Sequence, residues 1–220
     1  MLQQLASSQV ATQPPQSYLL TTINIALLFF IMLGPVKIVG PFHAASHDLA
    51  PNALRALALK VVLISTVSVL LAGLVGSAMM QQWHIGVPTM ELTASLVFLL
   101  AALKQVLDQY APPVPPAPGS ASGWLHLVFP VVIPPYGIAA LMVLMALSAS
   151  TTRGIAVIGV ALLVMALNLA AMLLVRRIMR GVGPLCLQIF GSVLAVLQVA
   201  LALQLMFVAL ARLGVTPLQP

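Results

Sequence analysis

The sequence predicts an all-α integral membrane protein: six transmembrane helices arranged as a 3+3 inverted-topology repeat, with helices 1 and 4 broken. Three observations carry that prediction. The 220-residue chain is 61% hydrophobic and 5% charged, with a mean hydropathy of +1.13. A soluble domain carries about 25% charged residues, so this surface needs lipid as its solvent. Six apolar stretches approach the ~20 residues that cross ~30 Å of hydrocarbon, and a proline- and glycine-rich interruption recurs 100 residues after its first appearance.

Taken in order, residues 1–17 form a tail with no basic residue. The apolar run after it is too long for a signal peptide, so the first span is expected to stay in the mature protein. That span covers 18–42 and ends in FFIMLGPVKIVGPF, which places Gly34, Pro35, Lys37, Gly40 and Pro41 where a membrane helix should be regular. The second span, 57–79, follows SHDLAPNAL, with Asp48 as its candidate N-cap and Pro51 in its first turn. The third, 92–107, is the shortest.

Residues 108–123, DQYAPPVPPAPGSASG, form a proline-rich linker between two halves, 18–107 and 124–212. It reads as a spacer, with docking of a proline-binding partner as the alternative. The fourth span, 124–148, contains FPVVIPPYGIAALM, hence Pro130, Pro134, Pro135 and Gly137. The fifth and sixth cover 155–175 and 187–210, and 213–220 is a C-terminal tail. Unbroken apolar faces without alternation exclude a barrel.

Lysine and arginine orient the spans. Arg55, Lys60, Lys104, Arg176, Arg177 and Arg180 fall on one side and only Arg153 and Arg212 on the other. The basic side is expected to be cytoplasmic, with both termini outside. At the offset of 100, Phe29, Pro35 and Ile38 recur as Phe129, Pro135 and Ile138, and the same offset carries spans 2 and 3 onto 5 and 6. Three spans per half is an odd number, so the second half runs the opposite way. Both interruptions then lie about 10 to 16 Å deep, near the midplane.

A break is chemically useful. Pro35 and Pro41 remove backbone donors and free carbonyls one turn back, and Gly34 and Gly40 permit unusual angles. Freed carbonyls can hold a cation, and a restarting helix offers N–H groups to an anion. Pro130, Pro134, Pro135 and Gly137 offer the same from the other half. The nine residues are the candidate substrate-binding set; a pair of packing kinks is the alternative. Lys37 has two readings as well: its ammonium snorkels to the cytoplasmic boundary, or it projects into a space between the breaks.

These residues resemble the MarC family of bacterial inner-membrane proteins, within the wider LysE-like transporter superfamily. The resemblance rests on the proline break late in the first span, the IPPYGI segment in the fourth, and the small-residue start of the third, ELTASLVFLLAAL. Where the family commonly has Asn or Asp, this chain has Gly34, and Ala94 and Ser95 stand where a glycine pair is usual. The resemblance implies a six-helix inner-membrane protein that moves small solutes, some relatives resembling transporters of neutral amino acids.

Other polar residues are read more plainly. His43, His47 and Asp48 are boundary residues rather than a metal site, lacking a further ligand. Glu91 and His84 are expected at the outer face, Trp83 and Trp124 as interfacial anchors. Asn168, Gln198 and Gln204, in apolar helices, are expected to bond across helices, with a place facing the substrate path as the alternative. Arg176, Arg177 and Arg180 fit topology determinants touching lipid phosphates.

The expected function is export of small zwitterionic solutes such as neutral amino acids, with membrane lipids as surroundings; a non-transporting scaffold or assembly partner is the alternative. A thiol oxidoreductase is excluded because Cys186 is the single cysteine. No catalytic triad or nucleotide loop suggests an enzyme, and no cofactor is expected. Nine Lys and Arg in all, forming no stripe, exclude nucleic acid as a partner. The sequence leaves room for a homo-oligomer.

Overall fold

The computed structural model describes residues 21–108, 123–148, 150–180 and 183–215. The N-terminal tail with the first residues of the first span, nearly all of the linker, and the last five residues lie outside them. Every regular element among the described residues is helical: α1 (Thr22–Leu33), α2 (Val36–Ser46), α3 (Pro51–Gln82), α4 (Val87–Asp108), α5 (Gly123–His126), a π-helical turn (Leu127–Val132), α6 (Pro135–Ala146), α7 (Thr151–Leu173), α8 (Val175–Ile178) and α9 (Gly183–Arg212). Five stretches are long and apolar enough to cross a membrane: Thr22–Ser46, Pro51–Gln82, Val87–Leu107, Thr151–Leu173 and Leu185–Arg212. The pair Trp124–Val132 and Pro135–Ala146 passes the same test together, bent by 51°. The chain is therefore an all-α multi-pass membrane protein.

Helix boundaries follow local chemistry. Ala50 is extended (φ −60°, ψ 154°) because it precedes a proline, so α3 cannot begin before Pro51. This corrects Asp48 as N-cap: Ala50 occupies that position, no side chain caps the helix, and Asp48 instead meets His47 Nε2 at 2.8 Å. At α7 the cap is regular, with the Ser150 hydroxyl accepting from the Arg153 N–H at 3.3 Å. The third span begins earlier than expected, at Val87, since Pro88 in a first turn costs no intrahelical bond.

The bundle packs α9 along α4, α3 against α6 and α7, and α1 against α7. Its centre is closed by Phe29, Phe42, Phe98, Ile38, Ile133 and Leu141, all under 3% exposed. Without a hydrophobic force between helices in lipid, close van der Waals contact must hold them together. Gly73 and Gly76 supply it on α3: a Cβ there would stand 2.6 Å from Leu141 Cδ2 and 2.1 Å from Met142 Cε of α6. The outward faces stay apolar, with Leu63 and Leu71 of α3 and Phe190 and Val196 of α9 more than half exposed.

One end of the bundle carries the α3–α4 turn, Ser150 at the start of α7, Thr21 and Arg212. At the other end Arg176 donates to the Leu49 carbonyl, and Lys60 Nζ sits 3.9 Å from the Trp124 ring centre.

Candidate functional site

Two interruptions face each other inside the bundle, and each arises from an X–Pro pair. Pro35 has no N–H, and a residue before proline is pushed out of the helical region. Gly34 accordingly lies at φ −71°, ψ 167°, ending α1 at Leu33, and α2 restarts at Val36. A Cβ on Gly34 would stand 1.8 Å from the Phe30 carbonyl oxygen, so this path leaves no room for a side chain. In the second break Pro134 precedes Pro135 at φ −73°, ψ 149°, and α6 restarts at once. Its Pro134 carbonyl accepts from the N–H groups of Gly137 at 2.9 Å and Ile138 at 3.3 Å. Just upstream, Phe129 is non-helical (φ −121°, ψ 127°), the Phe129–Pro130 peptide is cis, and Ile133 N–H reaches Val128 O at 3.0 Å.

The two restarts meet through side chains. Lys37 Nζ, on the first turn of α2, donates to Tyr136 Oη at 2.6 Å and lies 5.1 Å from the tyrosine ring centre. Tyr136 in turn packs on Phe98 of α4, ring centres 4.8 Å apart. Leu33, the last residue of α1, lies against Gly137, where a Cβ would come within 3.1 Å of its Cδ2. A lysine ammonium has three donors, and Tyr136 takes one, leaving donors that a carboxylate would satisfy.

The carbonyls freed by the first break are taken by amides from the second half of the chain. Pro35 cannot donate to Ile31 O, its partner four residues back; Gln198 Nε2 of α9 does so at 2.9 Å. Asn168 Nδ2 of α7 donates to Leu33 O at 2.8 Å. Both side chains are 1% exposed or less, and their oxygens, Asn168 Oδ1 and Gln198 Oε1, are buried with no partner. Interhelical bonding was the expected role of these two amides; that they dress the broken backbone is visible only in three dimensions.

Of the nine predicted site residues, Gly34, Pro35, Lys37, Pro134, Pro135 and Gly137 lie at the junction of the two breaks. Pro130 is exposed in the π-helical turn upstream. Gly40 and Pro41 stand apart: α2 runs through both, Pro41 is exposed, and a Cβ on Gly40 would meet nothing within 4 Å. Membrane helices tolerate an internal proline when neighbours re-satisfy the backbone, so Pro41 opens no second gap.

Beside the junction, towards the end that carries Arg212, lies a cavity of about 270 Å³ between α1, α4, α6 and α9. Its walls include Met32, two residues before Gly34, and Ala140, three after Gly137. Glu91 lies in the second turn of α4, at the bundle end expected to be external, but its side chain is not free there. It turns into the bundle, where Glu91 Oε1 accepts from Arg212 Nη1 at 2.5 Å. No sequence signal pairs these two, because their meeting depends on how far α9 runs along α4. Tyr136 did carry a signal: it adjoins the residue that the 100-residue offset aligns with Lys37.

No family model, curated protein or solved structure matches this chain.

Proposed function

We propose that the chain is a six-span transporter of the bacterial inner membrane, with both termini outside, which exports small zwitterionic solutes such as neutral amino acids. On this reading the bent pair around Pro134–Pro135 is the fourth span, and the halves 18–107 and 124–212 form a 3+3 inverted repeat of the MarC type. Transporters of that construction hold the solute where discontinuous helices from the two halves meet near the midplane.

The observation that carries the reading is the Lys37–Tyr136 hydrogen bond, 2.6 Å between residues 99 positions apart, joining the two restarts. A lysine deep in a span costs ~2.5 to 3.5 kcal/mol on insertion scales, and intramembrane charges that face a bundle interior mark solute paths. Here the ammonium is spent on the opposite break rather than on the boundary. The matching pre-proline geometry at Gly34 and Pro134 further supports treating the two breaks as one device.

Counterflow with the purified protein in liposomes, across radiolabelled amino acids and other small solutes, tests the reading. Saturable exchange is expected. Lys37→Met, which keeps the apolar stem, should lose flux at normal membrane expression, and Tyr136→Phe should lower it ~10-fold or more, the worth of a hydrogen bond to a charged group. A flat panel for the wild-type protein would favour the scaffold reading, and wild-type flux in Lys37→Met would remove this lysine from the mechanism.

A further inference from the structure

We propose that the 270 Å³ cavity between α1, α4, α6 and α9 binds one small zwitterion with an apolar body, its ammonium on Glu91 and its carboxylate on Arg212. The proposal rests on the transport reading and names where, and by which groups, the solute is first held.

Size sets the first limit. A volume of about 270 Å³ lies near the low end of small-molecule sites. Wall chemistry sets the second. Away from Glu91, Arg212, Ser95 and Gln204 the lining is aliphatic, from Leu28 and Met32 on one side to Leu144 and Leu205 on the other. A solute filling it must carry an apolar body, because a polar one would lose its water without gaining partners.

The head group is set by the ion pair. Glu91 Oε1 is occupied by Arg212, but Glu91 Oε2 is buried with no hydrogen-bond partner. A carboxylate oxygen without a donor carries the full desolvation penalty, and an ammonium is the donor that best relieves it. The side chains of Arg212 and Glu91 are 26% and 15% exposed, and both residues line the cavity. A lone cation would match Glu91 but add uncompensated positive charge beside Arg212. A lone anion would match Arg212 and leave the unpaired Glu91 oxygen beside a like charge. A zwitterion adds no net charge and meets both groups, which matters where unpaired charge is expensive.

Position completes the case. Glu91 lies in the second turn of α4 and Arg212 ends α9, so both sit at one end of the bundle. Met32 and Ala140 place the opposite wall next to the two breaks. A solute held by its head at the ion pair points its apolar body towards the junction of Lys37 and Tyr136.

The test is equilibrium binding of radiolabelled L-leucine to the purified protein in nanodiscs. Competitors are isoamylamine, which lacks the carboxylate, 4-methylpentanoate, which lacks the ammonium, and glycine, which lacks the apolar body. Saturable leucine binding is expected, with each competitor at least tenfold weaker than unlabelled leucine. Glu91→Gln should weaken leucine at least tenfold. Because that change strands Arg212 and can unfold the protein, Ala94→Leu provides the second variant: it fills the cavity and keeps the ion pair. It should lose leucine to the same degree while melting close to wild type. Absence of leucine binding in the wild type, equal competition by the single-charge analogues, or wild-type affinity in a folded Ala94→Leu protein each overturns the site. Leucine counterflow on the same preparations separates the two claims. Flux with unchanged affinity in both variants rejects the cavity and keeps the transporter; binding lost in the variants without flux in the wild type keeps the cavity and rejects the transporter.

Discussion

Replacing Gln198 by leucine tests whether a distant amide sustains the first break. The side chain is 1% exposed and its Nε2 donates at 2.9 Å to Ile31 O, the carbonyl that Pro35 cannot serve. Leaving a buried carbonyl unsatisfied costs ~1 to 3 kcal/mol in proteins generally. Interhelical side-chain bonds in bilayers average ~0.6 and reach ~1.7 kcal/mol. Leucine also removes the partnerless Oε1, which offsets part of the loss. A destabilisation of about 1 kcal/mol is expected. The decisive quantity is its coupling to Pro35. Pro35→Ala restores an N–H and releases Gly34 from its extended conformation, so Ile31 O regains a backbone donor and the amide is no longer needed. In that background Gln198→Leu should cost close to nothing, giving a coupling of about 1 kcal/mol, above the ~0.3 to 0.5 kcal/mol scatter of independent sites. Unfolding by denaturing-detergent titration, followed by far-UV circular dichroism, measures all four corners of the cycle. Additive costs would refute the link between the proline and the amide.

Two further predictions concern the backbone and the orientation. Gly34→Ala must move the chain, since its Cβ would stand 1.8 Å from Phe30 O; a lower melting temperature, from a loss of ~1 to 3 kcal/mol, is expected, and Gly34→Asn should do no better. A melt unchanged by Gly34→Ala would show that the break relaxes freely. Alkaline phosphatase fused after Pro220 should be active and a fluorescent protein there dark, given Arg55, Lys60, Lys104 and the Arg176–Arg180 cluster at the opposite end from Arg212; the reverse pattern would invert the topology.

Much of the fold was legible because the signals are local. Apolar length marked the spans, and Pro35, Pro51 and Pro135 each set a helix start at or just after themselves, as a missing donor and a constrained neighbour require. The same rule, applied to the residue directly before Pro51, would have moved the α3 cap from Asp48 to Ala50. That α2 runs unbroken through Gly40 and Pro41 was not legible, because composition alone does not say whether neighbours will carry a proline within a helix. Glu91 was hidden for another reason. Its partner Arg212 is 121 positions away, and nothing in either segment encodes the register of α9 on α4.

The two breaks differ in what holds them, and the difference separates what sequence can specify from what only packing can. The second break uses its own backbone: Ile133 N–H returns to Val128 O, and Gly137 and Ile138 share the Pro134 carbonyl. Those bonds require only the order of residues 128 to 138. The first break has its Ile31 and Leu33 carbonyls served by Gln198 and Asn168, 167 and 135 positions away. In lipid no water is at hand to replace those donors, so α7 and α9 cannot slide away from α1 without stranding two carbonyls. Such a stranding costs ~0.6 to 1.7 kcal/mol for each bond, and the two bonds tie α1, α7 and α9 together. The amides also leave two buried oxygens of their own unpartnered. Native structures seldom carry such groups without compensation. The break that these amides serve also sets where Lys37 falls, on the first turn of α2 with its Nζ 2.6 Å from Tyr136 Oη.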